Sequence, residues 1–482
     1  MHETSKISNS IKWSSLGEIL AKLIVPITNM ILARVLMPED FGILASINMI
    51  ISFVDMFTDS GFAKYIIQCD FESEEEKTQF VNVAFWTNFG ISVFFWLLIC
   101  LFRNPVAAVT GNPGYGTVIA VASLQLLITS FSSIQTALFR RGFDFRTLFI
   151  TRVMMAVIPL AVTVPLAFIT RNYWSLIIGS LTSALLNAVV LTIKSSWKPE
   201  LYYNVAQLKK MLSFSIWSLA EAVAYWLTNW VDVFLIGSAF TAYYLGLYKN
   251  SLNMVNSIMA LVKASIIPVL FATLSRLKND HFEFEECYFC IQRLTACVLI
   301  PMGIGLFEFR ELATLLMFGK KWMEGTNIVG AWALASCFFI LYEGFNGEAY
   351  KAKGIPKVLF VFQAAYLCVM IPVCVYVKDI GFWPFVYTRS VLIFVEVFIG
   401  LFFMKKYVGF SVVRMVGNIG YPLVFAVIMG GCGHYLRQIN KAVLWQLVSI
   451  LCCVVIYGAL VLAFYRKKLF QDIRSLRTSY HV

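Results

Sequence analysis

Long apolar runs follow one another along nearly the whole chain, and this succession restricts the fold more than any motif does. A helix needs about 20 mostly apolar residues to cross the hydrocarbon layer of a bilayer. The 482 residues are 59% hydrophobic and only 14% charged, with a mean hydropathy of +0.76. Soluble domains carry about 25% charged residues, and a membrane β-barrel shows short segments of alternating polarity. The sequence therefore predicts an all-α membrane protein.

The apolar runs predict fourteen membrane spans, with two six-helix halves and two further helices at the C-terminal end. The first span follows Lys6 and Lys12 and has no small-residue cleavage site, so we expect it to be retained. The apolar segment 308–323 is too short to cross and is predicted to lie on the outer surface. The predicted spans are 13–36, 41–67, 80–102, 115–139, 150–170, 173–193, 211–237, 242–272, 287–307, 324–345, 357–377, 382–404, 417–436 and 442–465.

Lysine and arginine are shared unevenly between the two sides of this layout. With the N-terminus inside, the cytoplasmic segments hold 25 of the 39 basic residues and the outer segments hold 8. Basic loops stay in the cytoplasm during insertion. We therefore predict that both termini are cytoplasmic. The formal charge of +12 is attributed to these loops, and no nucleic-acid partner is expected.

An internal repeat supports the division into halves. "WSSLGEI" at Trp13 matches "WSLAEAV" at Trp217, and "FGILASINMI" at Phe41 matches "LGLYKNSLNMV" at Leu245 with one gap. Parallel repeats of this kind are typical of transporters whose substrate binds between the halves. The predicted divisions are an N-terminal lobe at 1–193, a cytoplasmic linker at 194–210, a C-terminal lobe at 211–404, and two added helices with a basic tail at 405–482.

Ionisable residues inside the spans are functional candidates, because each costs about 2.5–3.5 kcal/mol at the bilayer centre. Glu18 and Lys22 share one face of the first span. They are either an ion pair that only neutralises itself or part of a binding site. Pro26 removes a backbone hydrogen bond one turn later and predicts a hinge. Asp55 and Asp59 share a face of the second span, an arrangement that suits proton coupling, although Asp59 is near enough to the interface to be solvated instead.

Spans seven and eight carry the remaining candidates. Glu221 and Asp232 are about 20° apart around span seven, so both are predicted to face one cavity. Lys249 and Lys263 lie on nearly the same face of span eight, and the alternative for Lys263 is a side chain that extends to the inner interface. The available cations are Lys22, Arg34, Lys249 and Lys263, and the candidate ion-coupling acids are Glu18, Asp55, Asp59, Glu221 and Asp232.

No catalytic or nucleotide-binding motif is present in the sequence. There is no Walker loop, no G-x-S-x-G and no H-E-x-x-H. Cys287-x-x-Cys290 with His281 upstream lacks the second ligand pair that a zinc site needs. We therefore expect neither a metal nor a cofactor, and a transporter rather than an enzyme. The driving force is expected to be an ion gradient, the membrane potential or the substrate's own gradient.

Nine short blocks, in order, resemble the Wzx-type lipid-linked oligosaccharide flippases, polysaccharide transporters of the MOP superfamily. They cover roughly Lys12 to Lys357, and the last 120 residues match in hydropathy only. The blocks are "LARVLMPEDFG" (32–42), "GFAKYIIQ" (61–68), "ALFRRGFDFRTL" (137–148), "YWSLIIGSL" (173–181), "WKPEL" (197–201), "NWVDVFLIG" (229–237), "LGLYKNSL" (245–252), "LLMFGKKW" (315–322) and "GEAYKAKGIPK" (347–357).

This resemblance implies two six-helix lobes around a central cavity in a bacterial cytoplasmic membrane protein. It implies that an undecaprenyl-diphosphate-linked oligosaccharide crosses between the leaflets by alternating access, for export of a surface polysaccharide such as lipopolysaccharide. The cations Lys22, Arg34, Lys249 and Lys263 are then the candidates for binding the diphosphate. Expected partners are the lipid-linked substrate, membrane lipids and a polysaccharide polymerase, with the protein itself a monomer.

Two other functions are compatible with parts of the sequence. A multidrug or metabolite antiporter of the same superfamily, coupled to H⁺ or Na⁺ through Asp55, Asp59 or Glu221, differs from a flippase mainly in its substrate. A membrane glycosyltransferase needs a large loop outside the bilayer or a metal-binding carboxylate pair. The longest predicted outer loop is only the segment 308–323, which argues against the glycosyltransferase.

Overall fold

Helices make up nearly all of the chain that the computed structural model describes, residues 2–59 and 61–479. Within these ranges the side chains of 2–12, 14–16, 18–19, 58–59, 214–218, 473 and 475–479 are not described. No strand occurs in the described ranges. The all-α prediction is therefore confirmed.

The helices are numbered in chain order. They are α1 (His2–Val35), α2 (Pro38–Asp59), α3 (Phe62–Gln68), α4 (Glu74–Leu101), α5 (Arg103–Val109), α6 (Gly116–Ala122), α7 (Leu124–Arg141), α8 (Phe145–Ile158), α9 (Val164–Thr170), α10 (Trp174–Lys194), α11 (Val205–Ala239), α12 (Ala242–Arg276), α13 (His281–Glu308), α14 (Arg310–Met317), α15 (Thr326–Phe339), α16 (Phe345–Ala352), α17 (Lys357–Lys378), α18 (Phe382–Tyr407), α19 (Val412–Gly417), α20 (Gly420–Ile439), α21 (Val443–Leu460) and α22 (Arg466–Ser479). A 3₁₀ helix at Lys320–Gly325 precedes α15, and π-helical turns at Pro159–Thr163, Ile340–Gly344 and Val461–Tyr465 join neighbouring α-helices.

The predicted spans agree with this helix pattern. Thirteen helical stretches among the described residues are long and apolar enough to cross a membrane. The first predicted span falls in α1, where many side chains lie outside the described set. The second predicted span is wrong at its end, because α2 stops at Asp59 and α3 begins at Phe62. Gly61 lies in a bend just ahead of α3, and glycine is a poor helix former, which accounts for the separate start of α3.

Side-chain caps fix four helix starts, all at ends that the charge distribution assigns to the cytoplasm. The side chain of Ser73 accepts a hydrogen bond from Glu76 N at the start of α4, and Asp144 accepts one from Thr147 N at α8. Asn204 caps α11 and Asp280 caps α13 in the same way. Such caps satisfy backbone N–H groups that have no partner in the helix, and each contributes about 1 kcal/mol.

The chain divides into two compact units, Met1–Lys249 and Asn250–Val482. In the first unit α1 packs on α8, α7 packs on both α4 and α10, and α2 packs on α11. The helix α11, which the repeat assigns to the C-terminal lobe, belongs to this unit. The predicted lobe boundaries rest on the repeat and remain a prediction.

The predicted linker is an ordered part of the first unit. The amide oxygen Oδ1 of Asn82 on α4 accepts hydrogen bonds from Trp197 Nε1 at 3.2 Å and from Glu200 N at 3.1 Å. Trp86 Nε1 donates in turn to Glu200 O at 2.8 Å. Asn82 is only 1% exposed, so the segment ahead of α11 is held by a buried side chain.

In the second unit α13 contacts α15, α20 and the C-terminal helix α22. A bidentate ion pair joins α13 to α22. Arg293 donates from Nε to Asp472 Oδ2 at 2.9 Å and from Nη2 to Asp472 Oδ1 at 2.7 Å. The third arm, Nη1, donates to Asn418 Oδ1 at 2.8 Å. Arg293 is 8% exposed and Asp472 4%, so the tail assigned to the cytoplasm is docked by a buried charge pair.

We expect Asp472→Asn to destabilise the protein, because it leaves the buried Arg293 guanidinium without its counter-charge. Loss of one partner from a buried pair costs about 3–5 kcal/mol. The measurement is the apparent Tm of the purified protein in detergent. Asp379→Asn is the control, since Asp379 pairs with Lys378 and its side chain is 74% exposed. Equal Tm values for the two variants would contradict a structural role for the Arg293–Asp472 pair.

Candidate functional site

Two glycines that correspond in the internal repeat lie in contact inside the first unit. Gly42 is in the first turns of α2, and Gly246 is in the first turns of α12. A Cβ on Gly42 would lie 1.9 Å from Ala242 O, and a Cβ on Gly246 would lie 1.8 Å from Pro38 O. These distances are below any van der Waals contact, and the atoms that the added Cβ would meet belong to the backbone. The two helix starts therefore pack backbone to backbone, which only glycine allows.

This contact fixes the start of α12, where Lys249 lies about 10 Å along the helix from its first residue. The Lys249 ammonium lies 4.3 Å from the ring centroid of Trp230 on α11. A cation over an indole face is attracted by the ring's quadrupole, and the attraction grows as water is removed. Lys249 is only half-buried. The indole therefore positions a cation that still reaches the surface of the unit.

Asp232, on the other side of α11, has a different environment. It is 3% exposed, and its Oδ2 accepts a hydrogen bond from Tyr248 Oη at 2.7 Å. Its Oδ1 accepts from Val233 N at 2.8 Å. Tyr248 is 1% exposed, so the carboxyl group lies in the interior of the unit. Tyr248 thus contacts the acidic side chain of Asp232 on α11. Its neighbour Lys249 contacts the aromatic ring of Trp230 on the same helix.

The other predicted cations are more dispersed. Lys22 is half-buried on α1, and Arg34 is exposed near the end of the same helix. Lys263 is exposed and belongs to the second unit. Lys22 and Lys249 are therefore the two members of the set with partly buried side chains, both in the first unit. Their joint role in binding a diphosphate remains a prediction.

The predicted acids also have unlike surroundings. Glu221 is exposed, and its Oε2 lies 4.0 Å from Lys64 Nζ on α3. Asp55 is half-buried on α2. The side chains of Glu18 and Asp59 lie outside the described set. Among the acids whose side chains are described, Asp232 is the most deeply buried, and the predicted shared cavity for Glu221 and Asp232 stays a prediction.

Aromatic side chains surround the middle of α2 in the first unit. Trp226 Nε1 donates to Ser52 Oγ at 3.1 Å, and its ring packs edge-on against Phe53 with centroids 5.1 Å apart. Phe57 stacks on Phe95 at 5.6 Å. The side chain of Trp217, which opens the second copy of the repeat, lies outside the described set. Trp226 therefore has a structural partner for its polar atom.

Sequence reasoning missed a polar group inside the second unit. Tyr288 Oη donates to Asn346 Oδ1 at 2.8 Å, and Asn346 Nδ2 donates to Glu343 Oε1 at 3.3 Å. Glu343 lies in a π-helical turn, Ile340–Gly344, and a Cβ on Gly400 would lie 1.8 Å from its Oε1. The sequence could have indicated this site only through Glu343, a glutamate within an apolar run. The π-helical turn that contains Glu343 cannot be recognised from the sequence.

A second polar contact in this unit joins α17 and α18. Arg389 donates from Nη1 to Tyr366 Oη at 3.0 Å. Arg389 and Glu396 are 5% and 4% exposed. No group of three potential metal ligands occurs among the described residues. The interior of the second unit is therefore lined in part by hydrogen-bonded polar side chains.

These features define a multi-pass α-helical membrane protein that holds ionisable side chains inside its helix packing. Residues 31–327 match the family model described as "Polysaccharide biosynthesis protein". The match covers more than half of the sequence, and the chain belongs to this family.

The names of similar proteins are consistent with this family assignment. The chain is 23% identical over 329 residues to the succinoglycan biosynthesis transport protein ExoT of Rhizobium meliloti, covering 68% of this chain and 66% of ExoT. It is 21% identical to the lipopolysaccharide biosynthesis protein WzxC of Escherichia coli, covering 77% and 75% of the two chains. The chain thus spans about 66% of the length of ExoT.

A solved structure extends the similarity to almost the whole fold. The lipid II flippase MurJ, in an inward closed conformation, superposes with a TM-score of 0.77 at 17% identity, covering 95% of this chain and 99% of MurJ. At this identity the likeness concerns the fold. The predicted all-α membrane helix bundle is confirmed at the level of the fold.

We expect Gly42→Ala to reduce stability, because the added methyl meets backbone atoms of α12 that cannot rotate away. Overpacking of this kind costs about 1–3 kcal/mol. The control is Gly90→Ala on α4, where an added Cβ meets nothing within 4 Å. Apparent Tm and the yield of monodisperse protein measure the effect. A Gly42 variant as stable as the Gly90 variant would rule out the close helix contact.

Proposed function

We propose that this protein is a flippase that moves an undecaprenyl-diphosphate-linked oligosaccharide from the inner to the outer leaflet of the bacterial cytoplasmic membrane, for export of a surface polysaccharide. Membership of the polysaccharide biosynthesis family is the observation that carries this proposal. The names of ExoT and WzxC place those relatives in polysaccharide and lipopolysaccharide biosynthesis. The name of MurJ supplies a precedent for lipid-linked substrate transport on this fold.

The chemistry of such a substrate explains why intramembrane cations are needed. A diphosphate and its sugars are polar, and about 30 Å of hydrocarbon separates the two leaflets. A fixed cation offsets part of the cost of removing phosphate oxygens from water. Lys249 suits this role because its half-buried side chain places the ammonium group over the Trp230 ring, 4.3 Å from the ring centroid. Lys22 is the second candidate, and Arg34 and Lys263 would act nearer the two surfaces.

Ion coupling is proposed to involve the acids Glu18, Asp55, Asp59, Glu221 and Asp232. Asp232 has the strongest structural support, since its carboxyl group is buried and bonded to the Tyr248 hydroxyl. The same carboxyl group accepts a hydrogen bond from Val233 N, so both of its oxygens have partners inside the unit. Glu221, which is exposed near Lys64, serves as a natural contrast.

The remaining parts of the proposal concern location and partners. Both termini are placed in the cytoplasm by the distribution of lysine and arginine. A polysaccharide polymerase is the expected acceptor of the flipped unit, and the flippase itself is expected to act as a monomer. A drug antiporter is the alternative function, and the family membership favours the flippase over it.

Deletion of the gene is expected to remove the surface polymer and cause lipid-linked glycan to accumulate, because flipping lies between assembly and polymerisation. Complementation with Lys249→Ala should restore about tenfold less polymer than the wild type, since a charge-assisted bond contributes about 1.5–3 kcal/mol. Lys320→Ala, an exposed lysine outside the candidate set, should complement fully. Mass spectrometry of lipid extracts and polymer quantification measure both effects.

The deletion also separates the two candidate functions. Unchanged lipid-linked glycans combined with new sensitivity to cationic drugs would contradict the flippase and favour the antiporter. Protein levels of the Lys249→Ala and Lys320→Ala variants must match in the membrane fraction. Full complementation by Lys249→Ala would remove Lys249 from the binding site while leaving the flippase proposal intact.

Asp232→Asn is expected to abolish the response of transport to an imposed H⁺ or Na⁺ gradient, because the amide cannot exchange a proton or neutralise a cation. Glu75→Gln should keep the full response, since Glu75 is exposed on the first turn of α4 and lies outside the candidate set. The measurement is flipping of a fluorescent lipid-linked sugar in proteoliposomes with and without each gradient. An unaltered gradient response in Asp232→Asn would exclude this residue from coupling.

A further inference from the structure

A cavity of about 200 Å³ lies in the first unit, where α1 meets α7, α8 and α10. It is separate from the Lys249 site on α11 and α12. Its lining includes Trp13 and Gly17 of α1, Arg140 of α7, and Phe149 and Arg152 of α8. The cavity has a positively charged rim and an aromatic wall, a combination that is suited to a phosphate group at a membrane surface.

The described lining of the cavity is unbalanced in charge. Arg140 lies in the last turn of α7, and Arg152 lies two turns into α8; both are exposed. No acidic residue is among its lining residues within the described part of the chain. The guanidinium group presents parallel N–H donors that match two oxygens of one phosphate. Two such groups at one opening therefore favour an anion with several oxygens.

A larger neighbouring cavity, of about 660 Å³, lacks this imbalance. Its lining places Glu74, Asp144 and Glu200 among its lysines and arginine. Arg141 there already donates to the carbonyl oxygen of Ile66 at 2.7 Å. Acids and satisfied cations make that larger cavity a poor site for an anion.

The aromatic wall of the smaller cavity is held by a close helix contact. The rings of Trp13 and Phe149 lie 4.9 Å apart at an angle of 56°. A Cβ on Gly17 would lie 2.9 Å from Phe149 Cδ2, so glycine lets α1 approach this ring. Met155 continues the lining along α8 and is 45% exposed. An apolar surface thus leads away from the two arginines along the helix.

The depth of the cavity fits the boundary between headgroups and hydrocarbon. Asn187 lines it about 10 Å from the end of α10, and Arg152 lies about 10 Å from the start of α8. Arginine side chains at this depth extend their charged ends toward the headgroups. The predicted orientation places these helix ends on the cytoplasmic side, so the leaflet concerned is the inner one.

We propose that this cavity binds the phosphate of an anionic phospholipid from the inner leaflet. Arg140 and Arg152 bind the phosphate oxygens, Trp13 and Phe149 cover the glycerol region, and the acyl chains follow the apolar surface at Met155. The site depends on the predicted orientation but not on the flippase function, since it lies apart from Lys249. A bound lipid here fastens α1 to α7 and α8 at the membrane surface.

Native mass spectrometry of the full-length protein in detergent tests this site with phosphatidylglycerol and phosphatidylcholine as probes. We expect wild type to retain phosphatidylglycerol in preference to phosphatidylcholine. The double variant Arg140→Gln, Arg152→Gln should lose that preference by about tenfold, as expected when charge-assisted bonds of about 1.5 kcal/mol are removed. Arg146→Gln is the matched control, because Arg146 is exposed on the first turn of α8 and does not line the cavity.

Competition experiments with other phosphate-containing compounds identify the source of the phosphate. Displacement of the lipid by millimolar inorganic phosphate would overturn the proposal in favour of a free-anion site. Displacement by undecaprenyl diphosphate at lower concentration than phosphatidylglycerol would overturn it in favour of a substrate site. Equal lipid retention by the double variant and wild type would also overturn it. If the double variant is not monodisperse, the pair Arg140→Lys, Arg152→Lys is used, which keeps the charge and should show an intermediate loss.

Discussion

Hydrocarbon offers no hydrogen bonds, and this constraint determines most of the structure. A backbone polar group left without a partner in lipid costs several kcal/mol, so continuous helices are the natural form of each crossing segment. Where polar side chains occur, they are placed against one another. Arg293 with Asp472, Tyr248 with Asp232, and Tyr288 with Asn346 are each hydrogen-bonded pairs in the interior of a unit.

The same constraint explains how helices approach each other. Lipid tails are as apolar as leucine side chains, so burial of apolar surface gives little drive for helices to associate in a membrane. Helices in a membrane associate instead through close packing at small residues. The contact of Gly42 with α12 and of Gly246 with α2 is of this kind, and it carries the turn before α12 close to α2. The positions of Tyr248 and Lys249 follow from that turn.

The fold class and most spans were predictable because long apolar runs have one common solution in a bilayer. The break between α2 and α3 was harder to predict, since a single glycine, Gly61, precedes α3 within an apolar run that hydropathy averages over. The repeat identified Gly42 and Gly246 as equivalent positions, yet nothing in it shows that equivalent positions touch. Pairing of Lys249 with Trp230, nineteen residues earlier, depends on the turn geometry at 240–241 and is invisible to periodicity.

Side chains that are distant in sequence were the least predictable part. Arg293 and Asp472 are 179 residues apart, and no local pattern relates them. Asp472 lies among basic residues and looks like part of a solvated tail, while Arg293 looks like an isolated charge in a span. Only tertiary packing shows that the two neutralise each other.

This separation has a consequence for the order in which the protein is made. Chains are synthesised at about 5–20 residues per second, so the segment between the two residues takes roughly 10–40 seconds to appear. Throughout that time α13 is present with its arginine and without its aspartate. Arg293 is therefore neutralised only once α22 has been made, and a ribosome that stops before Asp472 releases a chain with an uncompensated charge beside the bilayer. The unpaired arginine distinguishes such a fragment from the full chain, and membrane quality control can recognise that difference.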